Sequence, residues 1–104
     1  MTTAELLVML EANLEIITDY MDDTAKSAKE TELTQYITAA QSFIAKEGIT
    51  LDLTQIGDCM LVVMYAGWLY DKRKADSAAM PRMLRWNLNN RLFSQKVGAV
   101  NATG

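Results

Sequence analysis

The chain has 104 residues, half of them hydrophobic and 22% charged, with one proline and a formal net charge of −3. That balance suits one packed domain with a modest core and excludes disordered, collagen-like and low-complexity classes. Without a histidine, Ser–His and Cys–His nucleophile pairs, histidine bases and most zinc sites are excluded.

Glycine and the single proline fall where helices would break, and alternating strand patterns are scarce. The sequence therefore predicts an all-α domain, a bundle of about four helices. The first spans residues 3–13, with Thr3 as its cap and Leu6, Leu7, Leu10 and Leu14 along one face. The second spans 19–47. Its later part carries Leu33, Tyr36, Ile37, Ala40, Phe43 and Ile44 at helical spacing, and Thr31 or Thr34 could cap or restart it. Residues 19–30 are weakly apolar and fit either a helix or a loop. Gly48 is placed to end this helix in the left-handed conformation, with Ile49 folding back on Ile44.

The third helix, residues 54–74, holds the uncharged run Cys59 to Tyr70. Twelve such residues are too few to span a bilayer. Apolar all round, the helix must be buried on more than one side, and part of its surface is expected to meet another subunit. Gly67 would let a neighbouring helix come close, and Lys72, Arg73 and Lys74 suit the negative end of the helix dipole. The fourth helix, residues 81–95, starts at Pro81. Leu84, Leu88 and Leu92 form one stripe, and Trp86 and Phe93 lie on another side. The domain is read as residues 1–97, with 98–104 a mobile, flexible C-terminal tail that has little to bury.

Charge is divided along the chain. Residues 1–52 carry three bases and ten acids; residues 53–104 carry seven bases and three acids. A molecule of that kind has one acidic and one basic surface, and its copies can attract head to tail. Asp19, Asp22 and Asp23 cluster, but they lack the further oxygen ligands and the glycine of a calcium loop. They read as acids at a helix start, and no metal site is predicted. Cys59, the only cysteine, has no histidine to activate it and adjoins Met60 and Leu61. It reads as a buried core thiol in a reducing cytoplasm. The N-terminus lacks the basic start of a signal peptide. Glu5, Glu11 and Asp58 offer no spacing that supports a carboxylate enzyme. No catalytic residue and no cofactor is predicted, and the chain reads as a non-enzyme.

Arg82, Arg85, Trp86, Asn87, Asn89, Asn90 and Arg91 share the fourth helix. Arginine and asparagine can read base edges, which leaves a small DNA-binding regulator as the alternative function. Arginine and tryptophan are equally the anchors of protein interfaces.

Three segments together carry a resemblance: Phe43 to Ile49, with its Glu47-Gly48-Ile49 ending; Met60 to Tyr70; and Met80 to Lys96, with Pro81 leading and the Asn89-Asn90 pair inside. Over residues 4–97 the chain resembles the small head–tail connector (adaptor) proteins of tailed bacteriophages and their prophages. The resemblance implies a helical virion structural protein that serves virion assembly and head completion. Its copies would form a homo-oligomeric ring of about twelve on the portal protein, extending the DNA channel and docking stopper or tail completion proteins. Non-specific contact with packaged DNA is compatible with that role, and no membrane is involved. The protein would sit at the head–tail junction of the virion, after assembly in the host bacterial cytoplasm. By the same resemblance, Tyr65 and Trp68 lie in the core or at the subunit boundary. Arg82, Arg85 and Arg91 would face a neighbour or the channel, and the segment Phe93, Ser94, Gln95, Lys96 and Val97 would bind the portal.

Overall fold

Four helices follow one another: α1 Thr3–Asn13, α2 Asp23–Lys46, α3 Ile56–Lys72 and α4 Arg82–Thr103. They are seen in a computed structural model that describes residues 1–16, 19–73 and 79–103, with side chains described as far as Gly98. The described residues contain no strand, so the chain is an all-α bundle.

Helix α1 keeps its expected bounds but not its expected cap. Thr2, not Thr3, is the N-cap: its hydroxyl accepts from the Glu5 N–H at 3.2 Å, and Glu5 Oε1 accepts from the Thr2 N–H at 3.0 Å. A capping box needs the glutamate three residues after the cap, and only Thr2 has that spacing. The other end closes with a Schellman pair: Ile16 N–H donates to Glu11 O, and Glu15 N–H to Ala12 O. The residue bent into the left-handed region is Glu15, with φ 57°. Glycine takes that conformation without a Cβ penalty. Glu15→Gly is therefore expected to stabilise the fold by about 0.5–1 kcal/mol in urea unfolding, and a loss of stability would contradict this account.

Helix α2 starts at Asp23 because Asp22 caps it, its carboxylate accepting from the Ala25 N–H at 2.7 Å. Asp19, Tyr20 and Met21 lie in a turn before it. The helix then runs unbroken through Thr31 and Thr34, and the Thr34 hydroxyl donates to the Glu30 carbonyl within it. Leu33, Ile37, Ala40 and Ile44 are buried, while Phe43 stands at the edge, 42% exposed. Gly48 ends α2 with φ 94° and donates to the Ala45 carbonyl. Ile49 is buried in the core next to it in sequence.

Helix α3 is the centre of the bundle, packed against each of the other three. It begins two residues later than expected, at Ile56. Gln55 makes no side-chain cap, and Asp58, one turn in, reaches back to accept from the Asp52 N–H at 2.8 Å. Cys59, Leu61, Val62, Val63, Tyr65 and Ala66 are buried. The three neighbouring helices thus absorb most of its apolar surface, leaving Ile56 and Met60 half or more exposed. Gly67 faces α1: a Cβ there would lie 3.2 Å from Asn13 Oδ1 and 3.9 Å from Leu10 and Leu14. Alanine needs only a small shift of the Asn13 tip and removes a helix penalty of about 1 kcal/mol. Gly67→Ala is expected to be neutral or mildly stabilising. Gly67→Leu would wedge α1 off α3 and cost about 1–3 kcal/mol; equal stability of the two variants in urea would refute the close approach.

Lys74 and residues 75–78 of the expected linker lie outside the described residues. Pro81 precedes α4, and its carbonyl accepts the first helical bond, from Arg85 N–H. Leu84 and Leu88 are buried and Leu92 is packed against the core. The helix passes its expected end at Gln95 and runs to Thr103. Lys96, Val97 and Gly98 are exposed, so the described side chains past Gln95 have no core beneath them. Short helices without tertiary packing are marginal in water, which is the tail behaviour the sequence leads one to expect.

Candidate functional site

Helix α4 has two working faces. The inner one carries the leucines and three polar clasps. Arg85 holds Glu47, beyond the end of α2, with both terminal guanidinium nitrogens, at 2.6 and 3.2 Å. Arg91 holds Asp58 at 2.7 and 3.0 Å and also donates to the Thr50 carbonyl at 2.8 Å. Gln95 accepts from the Thr50 N–H and donates to the Gly48 carbonyl. The loop after α2 and the start of α3 are thereby tied to one side of α4.

Asp58 is the one buried charged residue of the described core, at 4% exposure. Burial pushes its carboxyl up, but the Arg91 hydrogen bonds, the Asp52 N–H and the Arg91 charge together hold it below its ordinary value. The same pairing raises Arg91, as the Glu47 pairing raises Arg85.

The outer face of α4 is apolar. Met83 is 60% exposed, Trp86 60%, Phe93 68% and Val97 40%. Asn90, also exposed, sits between Trp86 and Phe93 on the same line. Large hydrophobic groups lined up in water mark an interaction surface more often than scattered single ones do. An open hollow beside it is lined by Met80, Arg82, Met83, Arg85 and Trp86. Arg82 has no hydrogen-bonding or ionic partner among the described residues.

The residues singled out in the sequence fall into separate places. Tyr65 is buried, stacked on Phe43 at 6.1 Å and edge-on to Trp68 at 5.5 Å. Burial raises its hydroxyl pKa, Glu47 adds to that, and Arg85 opposes it. Trp68 is half-buried under Lys72, whose ammonium lies 4.8 Å from the ring centre, and its indole N–H finds no partner among the described residues. Arg85 and Arg91 turn to carboxylates of their own chain, and of the three only Arg82 has no partner among the described residues. Of the segment 93–97, Phe93, Ser94, Lys96 and Val97 are exposed and Gln95 serves a clasp.

Glu5, Glu11 and Asp58 are not brought together. Glu5 belongs to the capping box, Asp58 to Arg91, and Glu11 faces Glu30 and Lys26. Burial, then the Glu30 charge, raises Glu11, and Lys26 opposes them. Cys59 is buried and donates to the Leu53 carbonyl. No three of His, Cys, Asp and Glu converge among the described residues, and none of the described helices is long and apolar enough to cross a membrane.

Sequence reasoning placed Trp86 and Phe93 off the leucine stripe but missed Met83 and Val97 as their companions. The signal was present, since these residues recur at intervals of three and four. It missed Glu47 and Asp58 as partners, for which a sequence holds no local signal. No family model matches the chain, and no curated protein or solved structure matches it either.

Proposed function

We propose that this chain is a non-enzymatic structural protein of a tailed-phage virion. It is an adaptor that assembles as a ring on the portal, extends the DNA channel and docks stopper or tail proteins. The observation that carries the reading is the outward face of α4, where Met83, Trp86, Phe93 and Val97 meet water beside Arg82. Such a face belongs to a protein whose work is contact with other proteins, with tryptophan and arginine as anchors. The resemblance over residues 4–97 supplies the partner, and the all-α bundle agrees with the fold it implies. The split charge supports it further: each copy in a ring must meet two neighbours through different surfaces. On this reading the protein resides at the head–tail junction, after assembly in the host cytoplasm.

The DNA-binding alternative needs Arg85 and Arg91 at bases or phosphates. Both are engaged by Glu47 and Asp58, which leaves that reading Arg82 and Lys96 alone on the described part of α4.

The test mixes the full chain with purified portal rings of the phage or prophage that encodes it, followed by cosedimentation and electron microscopy. The expected result is a stoichiometric ring added to the portal. Phe93→Glu combined with Val97→Glu should abolish it while circular dichroism stays unchanged, because both side chains already face water. A folded parent chain that leaves the portal bare would reject the adaptor reading.

A further inference from the structure

The outer face of α4 has a finer order than exposure alone. Met83, Trp86, Asn90, Phe93 and Val97 are spaced three, four, three and four residues apart, and the sequence continues the series at Val100. This is the a/d repeat of a two-helix seam, with Met83, Asn90 and Val97 at a and Trp86 and Phe93 at d. In that register Leu88 and Gln95 take f, the position opposite the seam, and both face the bundle. The globule therefore lies behind α4 and does not block a helix approaching from the front.

We propose that a second copy of this chain covers the seam, pairing α4 with α4 in parallel and in register. Three observations select this occupant. The first is Asn90, the one polar residue in the seam. A single asparagine at a pairs best with its own copy across a parallel dimer, and it fixes register at some cost in stability.

The second is charge. The flanking g positions are Arg82, Asn89 and Lys96, and the flanking e positions are Asn87 and Ser94. Parallel pairing sets g against e, so each Arg82 meets Asn87 and each Asn89 meets Ser94, with no like charges opposed. Antiparallel pairing sets g against g, gathers the bases of both copies, and puts Asn90 against an apolar side chain.

The third is area. Aromatic side chains offer roughly 150–250 Å² each, so a seam this exposed on two copies buries on the order of 1,000 Å², the lower bound of specific interfaces.

The seam includes Phe93 and Val97, which the proposed function sets against the portal. Pairing and portal docking would then exclude each other, and the dimer is the unassembled form. The pairing rests on the α4 seam alone, and its test contains no portal, so it fails or stands apart from the adaptor reading.

The test is sedimentation equilibrium of the full chain from micromolar to millimolar concentration, with two kinds of variant. A monomer–dimer equilibrium is expected. Trp86→Glu should weaken it about 30-fold or more, the loss of a central aromatic anchor, with unchanged circular dichroism. Asn90→Cys should give a covalent dimer under mild oxidation, since a positions face each other only in a parallel, in-register pair. The parent chain, whose Cys59 is buried, is the control. A chain monomeric throughout, or a dimer indifferent to Trp86→Glu, overturns the proposal. A dimer that Asn90→Cys fails to cross-link overturns the parallel register, and with it the argument from Asn90.

Discussion

Arg91→Ala is expected to remove about 3 kcal/mol of folding stability, a large part of what a domain of this size has. The guanidinium is not simply a surface partner. Its side chain is 27% exposed, but that of Asp58 is 6% exposed, so the deletion strands a carboxylate away from water. Breaking a buried pair from one side costs far more than the pair contributes over an apolar replacement. The loss should appear as a melting temperature lower by on the order of 15 °C. Asp58→Asn added to Arg91→Ala should recover part of it, because the stranded charge is gone. If the double variant is as unstable as the sum of the two single changes, the two residues act independently and the account fails.

The pH dependence follows with a definite sign. In the parent chain the folded Asp58 pKa lies below its unfolded value. The stability linked to it is fully present above the unfolded value, near pH 4, and is lost as pH falls through the folded value. Without Arg91, burial is opposed by the Asp52 N–H alone, and the carboxyl is expected to lie higher than in the parent. A stranded carboxylate is then relieved by protonation as pH falls. The stability gap between parent and variant should be full at pH 7 and should narrow as pH falls into the carboxylate range. Urea titrations at neutral and acid pH check this, and a gap that widens in acid would contradict it.

Sequence reasoning reached the helices because each core-facing set repeats within a single segment. Leu6 and Leu10, or Leu33, Ile37, Ala40 and Ile44, announce a buried face wherever the chain folds. Gly48 was legible for a similar reason, since only a local conformation was at stake. Glu15 was not legible, because a glutamate carries no preference for the left-handed region it occupies. Helix α4 continues past Gln95 and through Gly98, since a single glycine costs a helix about 1 kcal/mol but does not by itself end it. The clasps of α4 were hidden for a different reason. Asp58 and Arg91 stand thirty-three positions apart, and only the route of the chain around α3 brings them together. The outward seam lay in between. Its spacing was in the sequence, but its exposure had to wait for the leucine stripe to choose the inner face.

That choice makes Leu88 the second residue whose loss should be felt most. Leu84 and Leu88 are the fully buried side chains of the described part of α4, and its other ties there are Leu92, packed against the core, and the polar clasps. Leu88→Ala removes a large group from a packed interior, for which the general cost is about 2–5 kcal/mol. Met60 and Met64 line a hollow next to Asn87 and Arg91, and methionine can shift to fill part of a void. A loss of about 2–3 kcal/mol is therefore expected. It should not be spread evenly. Helix α4 packs chiefly on α3 and the loop before it, whereas α2 packs along both α1 and α3. Amide exchange within residues 84–95 should quicken by roughly a hundredfold, while the amides of residues 33–44 change less. Uniform quickening through all four helices would mean that α4 opens only with the whole domain. If α4 opens by itself, Leu88→Ala should also weaken every contact made through Trp86 and Phe93, although it touches neither, because the inner leucines set where the outer aromatics point.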